Sequence, residues 1–86
     1  MKDDAMRMEI CRVLREHARL PRGTDRLAEN ADLFQAGMSS HASVNLMLAL
    51  EDTFDVEFPD EMLTRRVFSS VSEIAGAVTQ LQARVA

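Results

Sequence analysis

Two adjacent serines, Ser39 and Ser40, followed by His41, are the residues of this sequence best suited to carry chemistry. A serine attacks as a nucleophile when a base takes its proton and a third group orients that base. The chain has two histidines, His17 and His41. His41 follows Ser40 directly, and neighbours on a helix project about 100° apart instead of facing each other. His17 falls on the apolar stripe of the first helical segment, where it reads as a packed or surface residue. No G-x-S-x-G elbow is present. No catalytic residues are therefore expected, and a small serine esterase is disfavoured. One cysteine, Cys11, and two scattered histidines make no ligand cluster, and the acids between Glu51 and Glu61 lack calcium-loop spacing, so no metal site is expected.

A serine at the mouth of a helix offers something else. Its hydroxyl is exposed beside outward-pointing backbone N–H groups, and such a terminus accepts a phosphate readily. A phosphodiester formed on Ser40 would lie in a favourable field. Ser39 and Ser40 also serve as plain helix caps, and taken alone the two residues favour that reading.

The elements that would position these serines are helical. Met6, Ile10, Val13, Leu14 and His17 follow a 3.6-residue period and predict a helix over about 4–19. Asp3 and Asp4 suit its positive end, Arg15 and Arg19 its negative end. Pro21 and Gly23 would stop it. A long connection then runs from about Leu20 to Ser39, with turns at Asp25 and Asp32, and with Leu27, Ala31, Leu33 and Phe34 expected to pin it to the core. A second helix should begin at Ser39 or Ser40, with Ser39 as N-cap, and end near Phe54. Val44, Met47, Leu48 and Glu51 share one side of it, and Leu46, Leu50 and Phe54 another, which predicts packing on more than one neighbour. Pro59 bars a helix through 58. A short helix is expected over about 60–65. A last one begins near 70–72, where Ser70 and Glu73 form a capping box ahead of the stripe Val71, Ile74, Ala75, Val78, Leu81 and Val85. The fold class is thus all-α: a four-helix bundle, three longer helices and one short, with a long first loop.

Composition narrows the function. The 86 residues suit a single domain, 1–86, and leave little interior for a deep, closed active site. Net charge is −4, with six acids and no base from Glu51 to Glu61, which disfavours nucleic acid and suits either a basic partner or a solvated face. The lone cysteine excludes an internal disulfide, and no signal-peptide core or long apolar span is visible, so a soluble, cytoplasmic chain without membrane attachment is expected. Cys11 lies in an apolar helical pattern and is expected to be packed.

The stretch from Asp32 to Glu61 resembles the acyl and peptidyl carrier protein family. The matching pieces are Asp32-Leu33-Phe34, Gly37-Met38-Ser39-Ser40, Val44-Asn45-Leu46, Leu50-Glu51-Asp52-Thr53-Phe54 and Phe58-Pro59-Asp60-Glu61. Phe68, Ser70-Val71 and Ile74-Ala75 resemble the family's lead into its last helix. The resemblance covers nearly the whole chain and rests on the ordered set, not on any one piece. It implies that Ser40 takes a covalent 4′-phosphopantetheine arm from a phosphopantetheinyl transferase, that the arm's thiol carries a cargo as a thioester, and that the second helix docks partner enzymes. The residues expected to meet those partners are Met38, Ser39, His41, Val44, Asn45, Met62, Arg65 and Arg66.

Three departures from the family pattern redirect the expected partners. Ser39 stands where the family has Asp, His41 where it has Leu, and Asn45 where it has Glu. The start of the second helix is nearly neutral in consequence, and charge at such a surface tunes partner choice more than fold. The Gly-x-Ser-Ser variant resembles free-standing carriers loaded with glycine or alanine by an amino acid:carrier protein ligase, with a downstream enzyme accepting the cargo. The alternatives are an acyl carrier of a fatty-acid, polyketide or nonribosomal peptide pathway, and an unmodified helical adaptor. A monomer is expected of a chain that presents one arm to several enzymes.

Overall fold

The protein is described by a computed structural model covering residues 2–17 and 30–85. Three α-helices carry the fold: α1 (Lys2–His17), α2 (Ser40–Phe54) and α3 (Val71–Val85). No strand occurs among the described residues. The expected helix end at Arg19, the stops at Pro21 and Gly23, the turn at Asp25 and the anchor Leu27 lie outside them.

Helix α1 packs against both α2 and α3. Its buried residues are Ile10, Val13 and Leu14, and Cys11 is half-buried at the core edge. His17 departs from the expected stripe. It is exposed in the last turn, one turn beyond Leu14, with Nε2 3.9 Å from Glu16. On the outer face Arg12 hydrogen-bonds Glu9 and Glu16; these bonds, that to Glu9 foremost, raise its pKa.

Helix α2 begins where the sequence indicates. Ser39 is its N-cap, with φ −82° and ψ 164°, and its Oγ accepts from the Ala42 amide at 3.0 Å. Ala42, Leu46 and Leu50, spaced by four, are buried together. The other expected side is only partly buried: Met47 packs against the edge of the core. Val44 and Leu48 are half exposed, 51% and 53%, because α2 contributes one face to the core and turns the next to solvent. The helix ends at a left-handed cap on Asp55 (φ 53°), four residues before Pro59. The Asp55 and Val56 amides both donate to the Glu51 carbonyl. The Glu51 carboxylate accepts from the Phe58 amide at 2.8 Å, which turns the chain back so that Val56 and Phe58 enter the core.

In place of a helix over 60–65 stands a single 3₁₀ turn, Asp60–Met62, tied to the last turn of α3 by Arg84 and Glu61 at 3.7 Å. Helix α3 starts from the expected capping serine: Ser70 Oγ accepts from the Glu73 amide at 3.1 Å. Val71, Ile74, Ala77, Val78 and Leu81 line its buried face. Phe58 and Phe68 meet at 5.3 Å between ring centres, in a tilted pair that ties together the two ends of the segment between α2 and α3. Burying a Leu- or Ile-sized side chain contributes about 1.5–3 kcal/mol, and Ile10, Leu33, Leu46, Leu50 and Ile74 are all fully buried, so the core draws on every helix and on the loop before α2.

Candidate functional site

The start of α2 is held by a short loop built from the residues just before it. Asp32 Oδ1 accepts from the Phe34 amide at 2.9 Å and the Gln35 amide at 3.2 Å, closing a turn with its own side chain. Leu33, inside that turn, is fully buried, and its amide donates to the Ser69 carbonyl at 2.7 Å. The loop is thereby fixed at once to the core and to the residues that cap α3. The Gly37 amide donates to the Phe34 carbonyl and the Met38 amide to the Leu33 carbonyl, and the chain reverses through Gly37 at φ 119°. That backbone conformation suits glycine because it has no Cβ to clash.

Three residues after Gly37 the chain enters α2. Ser39 Oγ is occupied by capping, whereas Ser40, the first helical residue, is exposed and its Oγ has no bond within the described residues. The amides of Ser40 and His41 have no acceptor among the described residues, as befits a helix start. Ser43 Oγ donates to the Ser40 carbonyl at 2.6 Å and stiffens this first turn. No acid lies in the first turn of α2. A hydroxyl so presented, beside two free N–H donors and away from negative charge, suits attachment of a group that begins with a phosphodiester.

A groove of about 330 Å³ opens beside Ser40. Phe34, Val44, Met47, Leu63 and Phe68 supply its apolar lining, and Ser40, Ser43, Thr64 and Arg65 its polar lining. Arg65 lies over the Phe34 ring, 4.2 Å from its centre. A larger groove, about 620 Å³, runs between α1 and α3 past Met6, Phe54 and Thr79 and does not include Ser40. Among the described residues no group of three or more His, Cys, Asp or Glu side chains is arranged to hold a metal.

The residues expected to meet partners divide. Ser39, His41, Val44 and Asn45 are exposed on the first turns of α2, Arg65 is exposed across the groove from Val44, and Arg66 is exposed next to it in sequence. Met62 is half-buried against the core, and Arg66 also lies 3.9 Å from Glu73. Met38 is a correction: it is 3% exposed, because the turn closed by Asp32 folds its side chain inward. It supports the loop and does not present a contact surface. The groove lining, especially Thr64 beside Arg65, escaped sequence reading, since 63–69 carries no period that would reveal which residues face α2.

Comparison with known proteins gives one consistent answer. Residues 4–78 match the family model described as a phosphopantetheine attachment site. An aminoacyl carrier protein of Agrobacterium fabrum (strain C58 / ATCC 33970) is 45% identical over 73 residues, which span 85% of this chain and 88% of that protein. A chain in the crystal structure of an engineered Bradyrhizobium japonicum glycine:[carrier protein] ligase complexed with carrier protein from Agrobacterium tumefaciens and ATP superposes with a TM-score of 0.83. It is 44% identical, and the match covers 87% of this chain and 97% of that one. A solution structure from Agrobacterium tumefaciens superposes with a TM-score of 0.73 at 40% identity, covering 93% of this chain and 99% of that one.

Proposed function

The chain belongs to the phosphopantetheine attachment family, and from that premise we propose that it is a carrier protein bearing a 4′-phosphopantetheine arm on Ser40 and holding a small amino acid, glycine or alanine, as its thioester. The observation that carries the reading is the exposed, uncapped Ser40 hydroxyl at the first residue of α2, beside a groove that an arm can enter.

The work of this chain is to present and to be recognised. Asp32, Leu33 and Gly37 fix the loop, and Ser39 fixes the helix start, so Ser40 stands at a constant position on a rigid element. Its Oγ forms the bond to the pantetheine-side phosphorus as the diphosphate linkage of coenzyme A breaks, and adenosine 3′,5′-bisphosphate leaves. The serine proton leaves to a base on the phosphopantetheinyl transferase, because His41 lies one residue away on the helix and points elsewhere. Once attached, the arm supplies a terminal thiol that carries the cargo. The chain contributes no catalytic residue and is not an enzyme. Tethering raises the cargo's effective concentration at whichever enzyme is docked.

His41, Val44 and Asn45 on α2, with Met62, Arg65 and Arg66 opposite, form the docking surface in this reading. The near-neutral first turns of α2 support an amino acid:carrier protein ligase as the loading partner, as does the likeness to a carrier bound to such a ligase. A downstream enzyme then accepts the aminoacyl group. We take residues 1–86 as one domain, the 3₁₀ turn Asp60–Met62 as the fourth, short element of the bundle, and the protein as a cytoplasmic monomer.

Intact mass measured after incubation with coenzyme A and a promiscuous transferase tests the attachment. The wild type and Ser39→Ala should gain one phosphopantetheine group, and Ser40→Ala none. The modified protein, offered to the ligase with ATP and glycine or alanine, should gain the aminoacyl mass. Loading by an acyl-carrier synthetase instead would move the assignment to an acyl carrier of lipid or polyketide chemistry. An unchanged mass in the first step would leave a helical adaptor that uses the exposed Val44 and Leu48.

A further inference from the structure

We propose that Arg65 anchors the arm on its own carrier: the guanidinium binds the phosphodiester attached to Ser40, and the apolar groove behind it takes the adjoining dimethyl-bearing segment. The proposal rests on Ser40 being the modified residue.

The groove beside Ser40 has one charged residue in its lining, Arg65, and no carboxylate. Arg12 is matched to Glu9 and Glu16, Arg84 to Glu61, and Arg66 to Glu73 at 3.9 Å. Arg65 has no carboxylate partner among the described residues. It rests instead on Phe34, 4.2 Å above the ring centre. Stacking engages the flat face of a guanidinium and leaves its N–H edges available, which suits bidentate binding of a phosphate. The ring beneath is placed by the turn that positions Ser40, since the Phe34 amide donates to Asp32. One loop therefore sets both the attachment point and the seat of the cation.

The remaining lining matches the rest of the inner arm. Beyond its phosphate the arm carries a quaternary carbon with two methyl groups, then a hydroxyl and an amide. Val44 and Leu63, 51% and 45% exposed, and half-buried Phe34 offer apolar surface for the methyls. Thr64 Oγ accepts from the Val67 amide and keeps its proton to donate. Ser43 has already given its proton to the Ser40 carbonyl and contributes only an acceptor. The inner arm would lie against the carrier, and the thiol end, beyond the reach of this small groove, would stay free to enter a partner.

The test uses holo protein, with Arg65→Met and Arg65→Lys beside the wild type, each first checked by intact mass. If the wild type takes up no arm, the Ser40 assignment falls and this inference with it. With the arm attached, two-dimensional NMR should show contacts from its two methyl groups to Phe34 and Val44, and Arg65→Met should move the phosphorus resonance. The methyl contacts should weaken about two- to fivefold in Arg65→Met and recover in part in Arg65→Lys, the size expected for one exposed charge contact. Arm methyls without contacts in the wild type, or contacts unchanged in Arg65→Met, would overturn the proposal while leaving the attachment site intact. The melting temperature of the apo Arg65→Met variant should match the wild type. If it falls, the same methyl contacts followed in the wild type from low salt to about 1 M, where screening acts within about 3 Å, decide the matter: salt-insensitive contacts would reject the ion pair.

Discussion

The same substitution, glycine to alanine, should have opposite effects at two positions of this chain. Gly37 sits at φ 119°, where an added Cβ is strained, and its amide and that of Met38 close the loop that carries Ser40. Backbone strain of this kind costs about 1–3 kcal/mol. Gly76 lies exposed within α3, and a Cβ built there meets nothing within 4 Å. Alanine in a helix interior is favoured over glycine by about 0.5–1 kcal/mol. For a domain of 86 residues the unfolding entropy is about 0.18 kcal/mol/K, so each kcal/mol moves the melting temperature by about 5–6 °C. Gly37→Ala should therefore melt about 5–17 °C below the wild type, and Gly76→Ala about 3–6 °C above it, by circular dichroism at 222 nm. The two variants should also separate in function. Gly37→Ala shifts the residues before Ser40 and should slow arm attachment, read by mass against time, whereas Gly76→Ala should leave it unchanged. Shifts of the same sign, or a Gly37→Ala variant as stable as the wild type, would refute the claim that this backbone reversal demands glycine.

Other substitutions probe single features. Asp55→Gly relieves the left-handed cap of α2 and should stabilise the chain by up to about 1 kcal/mol in urea unfolding, with no change in arm attachment. Leu46→Ala removes a fully buried side chain of α2 and should cost about 2–5 kcal/mol by the same measurement. Ser39→Ala loses the Oγ bond to the Ala42 amide and should cost about 1 kcal/mol while still accepting the arm, which separates the capping serine from the modified one.

Features set by near neighbours were the most legible in the sequence. The caps at Ser39 and Ser70 depend on amides three residues away, and both were readable from residue type and spacing. The stripe of α3 was readable because period and burial coincide there, although Ala77 joins it and Ala75 is only half-buried. The burial of Met38 is not legible, because the segment before α2 has no period and the residue's place depends on a turn closed by Asp32 and on the bond from Leu33 to Ser69, which lie far apart in sequence. Val44 and Leu48 look identical in sequence to core residues. Which face of an apolar helix meets a neighbour is decided by tertiary packing, and here α1 and α3 leave that face uncovered. The groove is illegible for the same reason: Thr64 and Arg65 meet Ser40 only after the segment between α2 and α3 has folded back.

The placement of the acids on α2 has a consequence for ionic strength. Glu51 and Asp52 lie three turns along the helix from Ser40, about 16 Å at 1.5 Å per residue. The screening length in physiological salt is about 8 Å, so their field has largely decayed before it reaches the serine. An enzyme approaching Ser40 meets a surface whose attraction depends on shape and short-range contact. In dilute buffer the screening length grows to about 30 Å and the field of these acids reaches the serine, so an enzyme's rate at Ser40 should respond to salt up to the physiological level and little above it, whereas a carrier with acids beside its serine, within one screening length, would go on losing rate above that level.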